Sequence, residues 1–500
     1  MRNRDPETPS LPEKASLFTR FIAKIDPRRR GLTPPAAQSI RGNMIAIGVA
    51  RIGAILLDSL VYVLTARYFG PEDYGHYLAV LAFLTLVDVA ADMSVMDIAV
   101  REMSQHPDES GGWLGALTFL RTGLGALGMA AFTAYSLFRG LNQAHQSTLW
   151  LGLLILAAGS LRTPLAIFRA QMRMNYELAI ILATRLFNLL LFMWLISLHS
   201  PVHHFFAAVL GSRALLAVLS WECVRRKFPV RLSIQKQQVL LLAKESLPMA
   251  LSGLFVAIQL KADILILAQH AGKELAGLYG AVAQLPEYSL YLPVIISTPL
   301  LPVMSRAFRN SDVQEFTKFY QQMFDAILAL GIPAAVLTAV MPAAVVKLLF
   351  GDGYVAASAY VPVLLLATMA MWASHAMAIA AVAGGLQRHF IWIQSVCVVL
   401  YVGLNWILIP GLGPMAAAYV RLLTAALAPV LTYIVVRRYV GAGLGFAGLG
   451  RTLLAGAGMA AALVMVEASS ALPLIPAAMI GVAFYALAMW AMRQTREATA

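Results

Sequence analysis

The segments ARYFGPEDYGHYLAV (residues 66–80) and AQHAGKELAGLYGAV (residues 268–282) are two copies of one pattern. At a constant offset of 202 residues, seven of the fifteen positions are identical without a gap. Glycine and alanine identities arise easily by chance, whereas the identity of Tyr77 and Tyr279 is more informative. The repeat predicts a chain built of two similar halves with the same orientation.

The composition around the repeat defines the class of protein. Of the 500 residues, 60% are hydrophobic and only 13% are charged, and the mean hydropathy is +0.73. A soluble enzyme of this size needs more polar surface, and disordered chains lack this apolar content. The two cysteines, Cys223 and Cys397, lie in or beside apolar runs and form no metal-binding pattern. The sequence therefore predicts an all-α polytopic membrane protein.

The apolar runs give the number of membrane crossings. A helix needs roughly 20 apolar residues to cross about 30 Å of hydrocarbon. We predict about 14 transmembrane helices, near residues 42–66, 76–98, 113–138, 148–168, 178–198, 204–223, 247–269, 278–302, 325–347, 359–383, 390–409, 413–436, 452–469 and 472–492.

The repeat assigns these spans to lobes, because it joins spans 1 and 2 and again spans 7 and 8. We therefore expect two pseudo-symmetric six-helix lobes, related by an axis along the membrane normal, with a C-terminal helix pair appended. The predicted boundaries are a cytosolic basic tail with an interfacial helix in SLFTRFIAKID (1–41), the N-terminal lobe (42–223), a cytosolic basic linker (224–246), the C-terminal lobe (247–436) and spans 13 and 14 (437–500).

The net charge of +13 follows the predicted topology. If both termini are cytosolic, the cytosolic segments hold 27 of the 38 Lys and Arg residues, and the loops on the other side hold four. This asymmetry is the positive-inside pattern. The basic excess thus points to membrane lipids as its partners, and no nucleic acid is expected.

Seven cations lie inside the apolar runs, where each costs about 3 kcal/mol at the bilayer centre. We expect four of them to line a water-filled cavity between the lobes and to bind substrate: Arg51, Arg121, Lys261 and Arg421. The other three lie closer to span ends, where snorkelling or structural pairing is an equal alternative: Arg162, Arg185 and Arg213.

Carboxylates accompany these cations and nearly balance them in number. The candidates for ion coupling are Asp58, Asp88, Asp92, Asp263 and Glu287. Such a group either carries a proton or neutralises a neighbouring arginine, and the sequence leaves both roles open.

Span 8 is unusually rich in proline. Proline inside a span removes a backbone hydrogen bond and kinks the helix, either as a hinge for transport or as a static bend.

Enzyme motifs are nearly absent from the sequence. No nucleotide-binding loop, zinc-protease motif or nucleophile elbow is found, so we expect no enzyme activity, no cofactor and no metal site.

Several further segments resemble a known family. The first repeat copy, LPMALSGLFVAIQLKADILIL (247–267), KLLFGDGYVAA (347–357) and NWILIPGLGPMAAAY (405–419) resemble the Wzx-type polysaccharide and O-antigen flippases. These form the polysaccharide transporter family of the multidrug/oligosaccharidyl-lipid/polysaccharide exporter (MOP) superfamily. The similarity runs over most of residues 40–440. Lys261 stands where the family often has arginine, and Ser94 where it often has glycine.

The resemblance implies a transporter that flips undecaprenyl-pyrophosphate-linked oligosaccharides across the bacterial inner membrane for surface polysaccharide synthesis. It works by alternating access through a cationic cavity, and polymerase machinery is a candidate partner. The alternative is a cation-coupled multidrug exporter of the same superfamily, in which the buried acids would dominate. A membrane polymerase or ligase would need a large external loop, and every predicted external loop is short.

Overall fold

The computed structural model describes residues 34–92, 95–138, 143–228, 230–445, 447–469 and 474–499. The predicted interfacial helix in the tail lies outside these residues, as do the side chains of residues 34–51. Regular structure in the described ranges is helical, in agreement with the predicted all-α class. Besides two short 3₁₀ helices, its elements are α1 (Pro34–Asp92), α2 (Val95–Gln105), α3 (Ser110–Phe138), α4 (Gln143–Ser160), α5 (Leu165–Ala170), α6 (Met174–Ser197), α7 (Val202–Lys227), α8 (Lys236–His270), α9 (Lys273–Ser289), α10 (Tyr291–Ser297), α11 (Leu301–Arg309), α12 (Val313–Val340), α13 (Pro342–Phe350), α14 (Val361–Ala383), α15 (Gln387–Val440), α16 (Ala447–Ser469) and α17 (Leu474–Thr499).

Eleven helical stretches in the described residues are long and apolar enough to cross a membrane. Two of them, Ile52–Gln105 and Gln387–Val440, contain 54 residues each. A straight helix of that length would measure about 80 Å, more than twice the hydrocarbon thickness. The chain is therefore a polytopic membrane protein, and both long stretches must be interrupted.

Glycines in the left-handed region interrupt the two long stretches. Gly70 has φ 72° and Gly413 has φ 63°, values that glycine adopts without steric cost. The rings of Tyr62 and Tyr74, twelve residues apart, lie only 5.6 Å from each other. Because twelve residues of straight helix would separate them by about 18 Å, the chain reverses direction at Gly70.

The predicted span at 278–302 is instead divided among α9, α10 and α11. Pro293 lies in α10, Pro299 precedes α11, and Pro302 occupies its first turn. Each proline lacks the amide hydrogen that a continuous helix would need. Because this stretch is not one long helix, the count of 14 spans stays a prediction.

The two repeat copies pack against each other with reciprocal contacts. A Cβ atom added at Gly75 would collide with the carbonyl oxygen of Lys273, and one added at Gly277 would collide with that of Pro71. Both pairs exchange under the offset of 202 residues. A two-fold pseudo-symmetry axis therefore runs between Gly75 and Gly277. We call residues 54–223 the N-terminal half and residues 247–436 the C-terminal half.

Polar contacts join the two halves beside this axis. The Tyr62 hydroxyl donates a hydrogen bond to the carbonyl oxygen of Gly280 at 2.9 Å, and the Tyr354 hydroxyl donates to that of Ala66 at 2.9 Å. The Arg67 side chain donates to the carbonyl oxygen of Leu349 at 2.7 Å, at the C-terminal end of α13. This end of the helices, which we call the repeat end, is closed.

We expect Gly277→Leu to destabilise the protein by at least about 3 kcal/mol, because a side chain there displaces the backbone of the opposite half. Thermal unfolding of the purified protein in detergent measures the effect. Gly123→Leu is the matched control, since a Cβ at Gly123 meets nothing within 4 Å. Equal stability of the two variants would contradict the close packing of the repeat copies.

Candidate functional site

A cavity of about 390 Å³ lies between the two halves, and the aromatic rings of Tyr62 and Tyr77 lie on its wall toward the repeat end. Most of its wall comes from the N-terminal half, and only Lys261, Ile264 and Gln284 come from the C-terminal half. The charged residues in the wall are Asp58, Arg162, Arg185, Arg213 and Lys261. Four cations thus face one carboxylate in the wall itself.

A network of ion pairs holds two of these arginines in the N-terminal half. Arg213 lies 3.3 Å from the Asp88 carboxylate. Arg162 lies 4.0 Å from Asp88 and 3.7 Å from Asp92. Arg121, which is only 1% exposed, is paired closely with Asp92 and lies 4.0 Å from Asp88. Asp88 therefore has three guanidinium neighbours.

The third arginine of the wall has a simpler environment. Arg185 lies 3.1 Å from Asp58, and the two side chains remain 47% and 28% exposed. Asn188, one turn further along α6, accepts a hydrogen bond from the Ser212 hydroxyl at 2.7 Å. Neutral polar groups therefore lie beside the charged ones, as is usual where a ligand carries both charge and hydroxyl groups.

The two cations predicted to line the cavity from the C-terminal half, Lys261 and Arg421, are each paired with a carboxylate of the same half. Lys261 lies 2.6 Å from Glu287. Arg421 lies 2.8 Å from Asp263, with side-chain exposures of 3% and 0%. The Asp263 carboxylate also accepts hydrogen bonds from the Tyr279 hydroxyl at 2.6 Å and from the backbone amide of Ile264 at 2.9 Å. Arg421 and Asp263 thus form a buried ion pair in which Asp263 accepts three hydrogen bonds, while the Nε atom of Arg421 has no hydrogen-bond partner among the described residues.

The structure distributes the four predicted cavity cations in three ways. Lys261 lines the cavity, whereas Arg121 and Arg421 are buried in ion pairs outside the lining. The side chain of Arg51 falls outside the described residues. Each predicted ion-coupling carboxylate has a cationic partner, and Asp58 is the one that lines the cavity.

The residues that the sequence left undecided supply most of the cavity charge: Arg162, Arg185 and Arg213. The sequence placed these arginines closer to span ends, whereas Arg185 and Arg213 lie near the middle of α6 and α7. The two acids of span 2, Asp88 and Asp92, carry the signal that could have located them. Two carboxylates on one buried helix face require cationic partners, and the structure supplies them from α3, α7 and the turn after α4.

Among the described residues, no group of three or more His, Cys, Asp and Glu side chains could hold a metal ion. The charged groups of the cavity are paired cation with carboxylate. Such an arrangement can hold an anion by hydrogen bonds from guanidinium groups.

Apolar helices around a charged cavity between two pseudo-symmetric halves define a membrane transporter. Residues 40–308, more than half of the chain, match the sequence profile of the family described as polysaccharide biosynthesis protein. The chain belongs to this family. The match confirms the resemblance to polysaccharide flippases found in the sequence. No curated protein sequence shows significant similarity to the chain.

Solved transporter structures share the fold of this chain, and two of those named here are described as members of the MOP superfamily. The lipid II flippase MurJ in an inward closed conformation matches with a TM-score of 0.72 at 12% identity, over 90% of this chain and 99% of its own. An inward-facing multidrug resistance MATE family transporter matches with a TM-score of 0.65 at 13% identity, over 78% and 94%. A MOP superfamily transporter from Pyrococcus furiosus matches at 0.57 and 14% identity, over 80% and 95%. These likenesses establish the fold.

Proposed function

We propose that this protein flips undecaprenyl-pyrophosphate-linked oligosaccharide repeat units across the bacterial inner membrane for surface polysaccharide biosynthesis. The observation that carries the proposal is the cavity between the halves, whose wall holds Arg162, Arg185, Arg213 and Lys261 against Asp58 alone. Family membership supports a polysaccharide precursor as the cargo.

The cavity fits the head group of such a precursor in both charge and polarity. Guanidinium groups bind phosphoryl oxygens through paired N–H donors, and three of them converge here from different helices. Asn188, Ser212 and Gln284 add neutral hydrogen-bonding groups suited to sugar hydroxyls. A volume of about 390 Å³ admits the pyrophosphate and the first sugar while the isoprenyl chain stays in the bilayer.

Transport proceeds by alternating access. The repeat end is closed by contacts of Tyr62, Arg67 and Tyr354 with the opposite half. With both termini in the cytosol, as the distribution of Lys and Arg favours, the repeat end faces the periplasm. Opening there requires these contacts to break and delivers the repeat unit to the side on which polymerase machinery would extend it.

The alternative is a cation-coupled multidrug exporter of the same superfamily, and the fold shared with the MATE transporter supports it. A cationic drug would need a carboxylate free to receive it. The carboxylates around this cavity are paired with arginine or lysine, and the wall itself holds an excess of cations. The charge distribution therefore favours an anionic cargo.

Deletion of the gene in its host tests the proposed cargo and direction. We expect undecaprenyl-linked repeat units to accumulate in the membranes of the deletion strain and to stay inaccessible to reagents added outside the inner membrane. We also expect surface polysaccharide to be lost. Complementation with the intact chain is the control. Unchanged lipid-linked sugars together with altered drug resistance would contradict the flippase and support the exporter.

A further inference from the structure

We infer that Arg185 exchanges its partner Asp58 for the anionic head group of the substrate, and that Asp58 takes up one proton as it is released. The inference rests on the function proposed above, because it needs an anion in the cavity. It adds to that function the place where binding of the anion is coupled to a proton.

The cations of the cavity wall differ in whether turning toward a ligand would leave a carboxylate without a cationic partner. Asp88 has guanidinium groups from Arg121, Arg162 and Arg213 within 4.0 Å, so it keeps two when any one turns to a ligand. Asp92 shares Arg121 and Arg162 in the same way. These carboxylates remain compensated in every arrangement of the network.

Among the side chains that the structure describes, Asp58 has one cationic partner within ion-pair distance, Arg185 at 3.1 Å. When that guanidinium turns to a phosphoryl oxygen, the partly buried Asp58 carboxylate is left without this counter-charge. Glu287 also has one such partner, Lys261, but Glu287 does not line the cavity. Asp58 lines it and is 28% exposed, so cavity water can deliver a proton to it.

Arg185 is also the cation most ready to move. Its side chain is 47% exposed, more than those of Arg162, Arg213 and Lys261. It lies close enough to Arg213 for the two guanidinium groups to repel each other. An anion bound between the two guanidinium groups relieves this repulsion. Arg185 and Arg213 are therefore the pair of arginines that we expect to bind a phosphoryl group from two sides.

The charge balance of the whole site requires compensation. Among the described side chains around the cavity, five cations face four carboxylates, which leaves an excess of one positive charge: Arg121, Arg162, Arg185, Arg213 and Lys261 against Asp58, Asp88, Asp92 and Glu287. A pyrophosphate diester brings two negative charges and would leave one uncompensated. Since a net charge in a shielded site is costly, one proton taken from water onto a carboxylate oxygen of Asp58 restores neutrality.

Isothermal titration calorimetry of the purified full chain counts this proton. The probe is farnesyl methyl pyrophosphate, a diester that carries the pyrophosphate and a short isoprenyl chain and does not titrate near neutral pH. Titrations in buffers of different ionisation enthalpy give the number of protons taken up per probe bound. We expect about one for the wild type and none for Asp58→Asn, since the amide cannot accept it.

Two variants serve as controls for the assignment. Glu287→Gln removes the other singly paired carboxylate, and Asp352→Asn removes an exposed carboxylate paired with Lys347 at 2.7 Å outside the cavity. Asp352→Asn should retain uptake of about one proton. Glu287→Gln adds one positive charge to the site, so uptake should fall below one proton there while Asp58 remains the group that accepts it. If Asp58→Asn does not fold, Asp58→Ser replaces it, and no uptake is expected because a hydroxyl group cannot accept the proton either.

The outcomes separate the exchange from the proposed function. Binding by the wild type without proton uptake would overturn the exchange and leave the flippase intact. Loss of uptake in Glu287→Gln with uptake retained in Asp58→Asn would overturn it in favour of the Lys261 pair. Absence of probe binding by the wild type would overturn the exchange together with the proposal that the cavity binds an anionic head group.

Discussion

Asp263→Ala is expected to destabilise the protein by about 3–5 kcal/mol, because it leaves the Arg421 guanidinium buried without its counter-charge. Arg421 is 3% exposed, and Asp263 is the carboxylate paired with it. The remaining contacts of Arg421 with the carbonyl oxygens of Ala283 and Leu260 are long, at 3.4 Å. Thermal unfolding in detergent, together with the yield of folded protein, measures the loss.

A double variant separates the charge from the packing. Asp263→Leu combined with Arg421→Met removes both charges and retains much of the volume, so it should recover most of the stability lost by Asp263→Ala. Asp352→Asn is the matched control, because its ion pair with Lys347 is exposed and contributes about 0–1 kcal/mol. If Asp263→Ala folds normally and loses transport alone, Asp263 acts in coupling rather than in support of the fold.

Arg162→Gln and Arg213→Gln are each expected to reduce export of surface polysaccharide at least about tenfold, because each removes a charged donor to the anionic head group. Both side chains line the cavity. Surface polymer in the complemented deletion strain, normalised to protein level by immunoblot, measures the effect.

Arg225→Gln is the control for these variants. Arg225 is a cation at the end of α7 that pairs with Glu222 at 2.8 Å and does not line the cavity. It should support normal export. Wild-type export by both cavity variants at normal protein level would show that the positive charge of the wall does not hold the cargo.

The overall architecture was accessible from the sequence because membrane crossing imposes a strong constraint. Apolar runs locate helices without knowledge of packing, and the repeat predicts two similar halves with the same orientation. The stretch 278–302 was less accessible, because hydropathy registers its apolar residues and ignores the missing amide hydrogens of Pro293 and Pro299. The predicted spans already end and begin around Gly70 and next to Gly413, although the sequence does not say that these two glycines adopt positive φ angles.

For the site, the sequence predicted which charged residues lie inside the membrane spans, but it did not predict which of them pair with each other. The sequence contains nearly equal numbers of buried cations and carboxylates, yet Arg421 and its partner Asp263 are 158 residues apart. Pairing at that distance depends on the rotation of each helix about its own axis, which periodicity does not give when every face is apolar. For the same reason Arg185 and Arg213 could not be assigned to the cavity, although both lie near the middle of their helices.

The uneven wall of the cavity has an evolutionary consequence. Nearly all of the cavity wall belongs to the N-terminal half. In the C-terminal half, Lys261 pairs with Glu287 and Arg421 pairs with Asp263. Substitutions in the first half of the gene can therefore reshape the cavity wall and leave the buried ion pairs of the second half untouched. The two similar halves thus differ in role, since the first forms most of the cavity wall and the second keeps its buried charges in internal pairs.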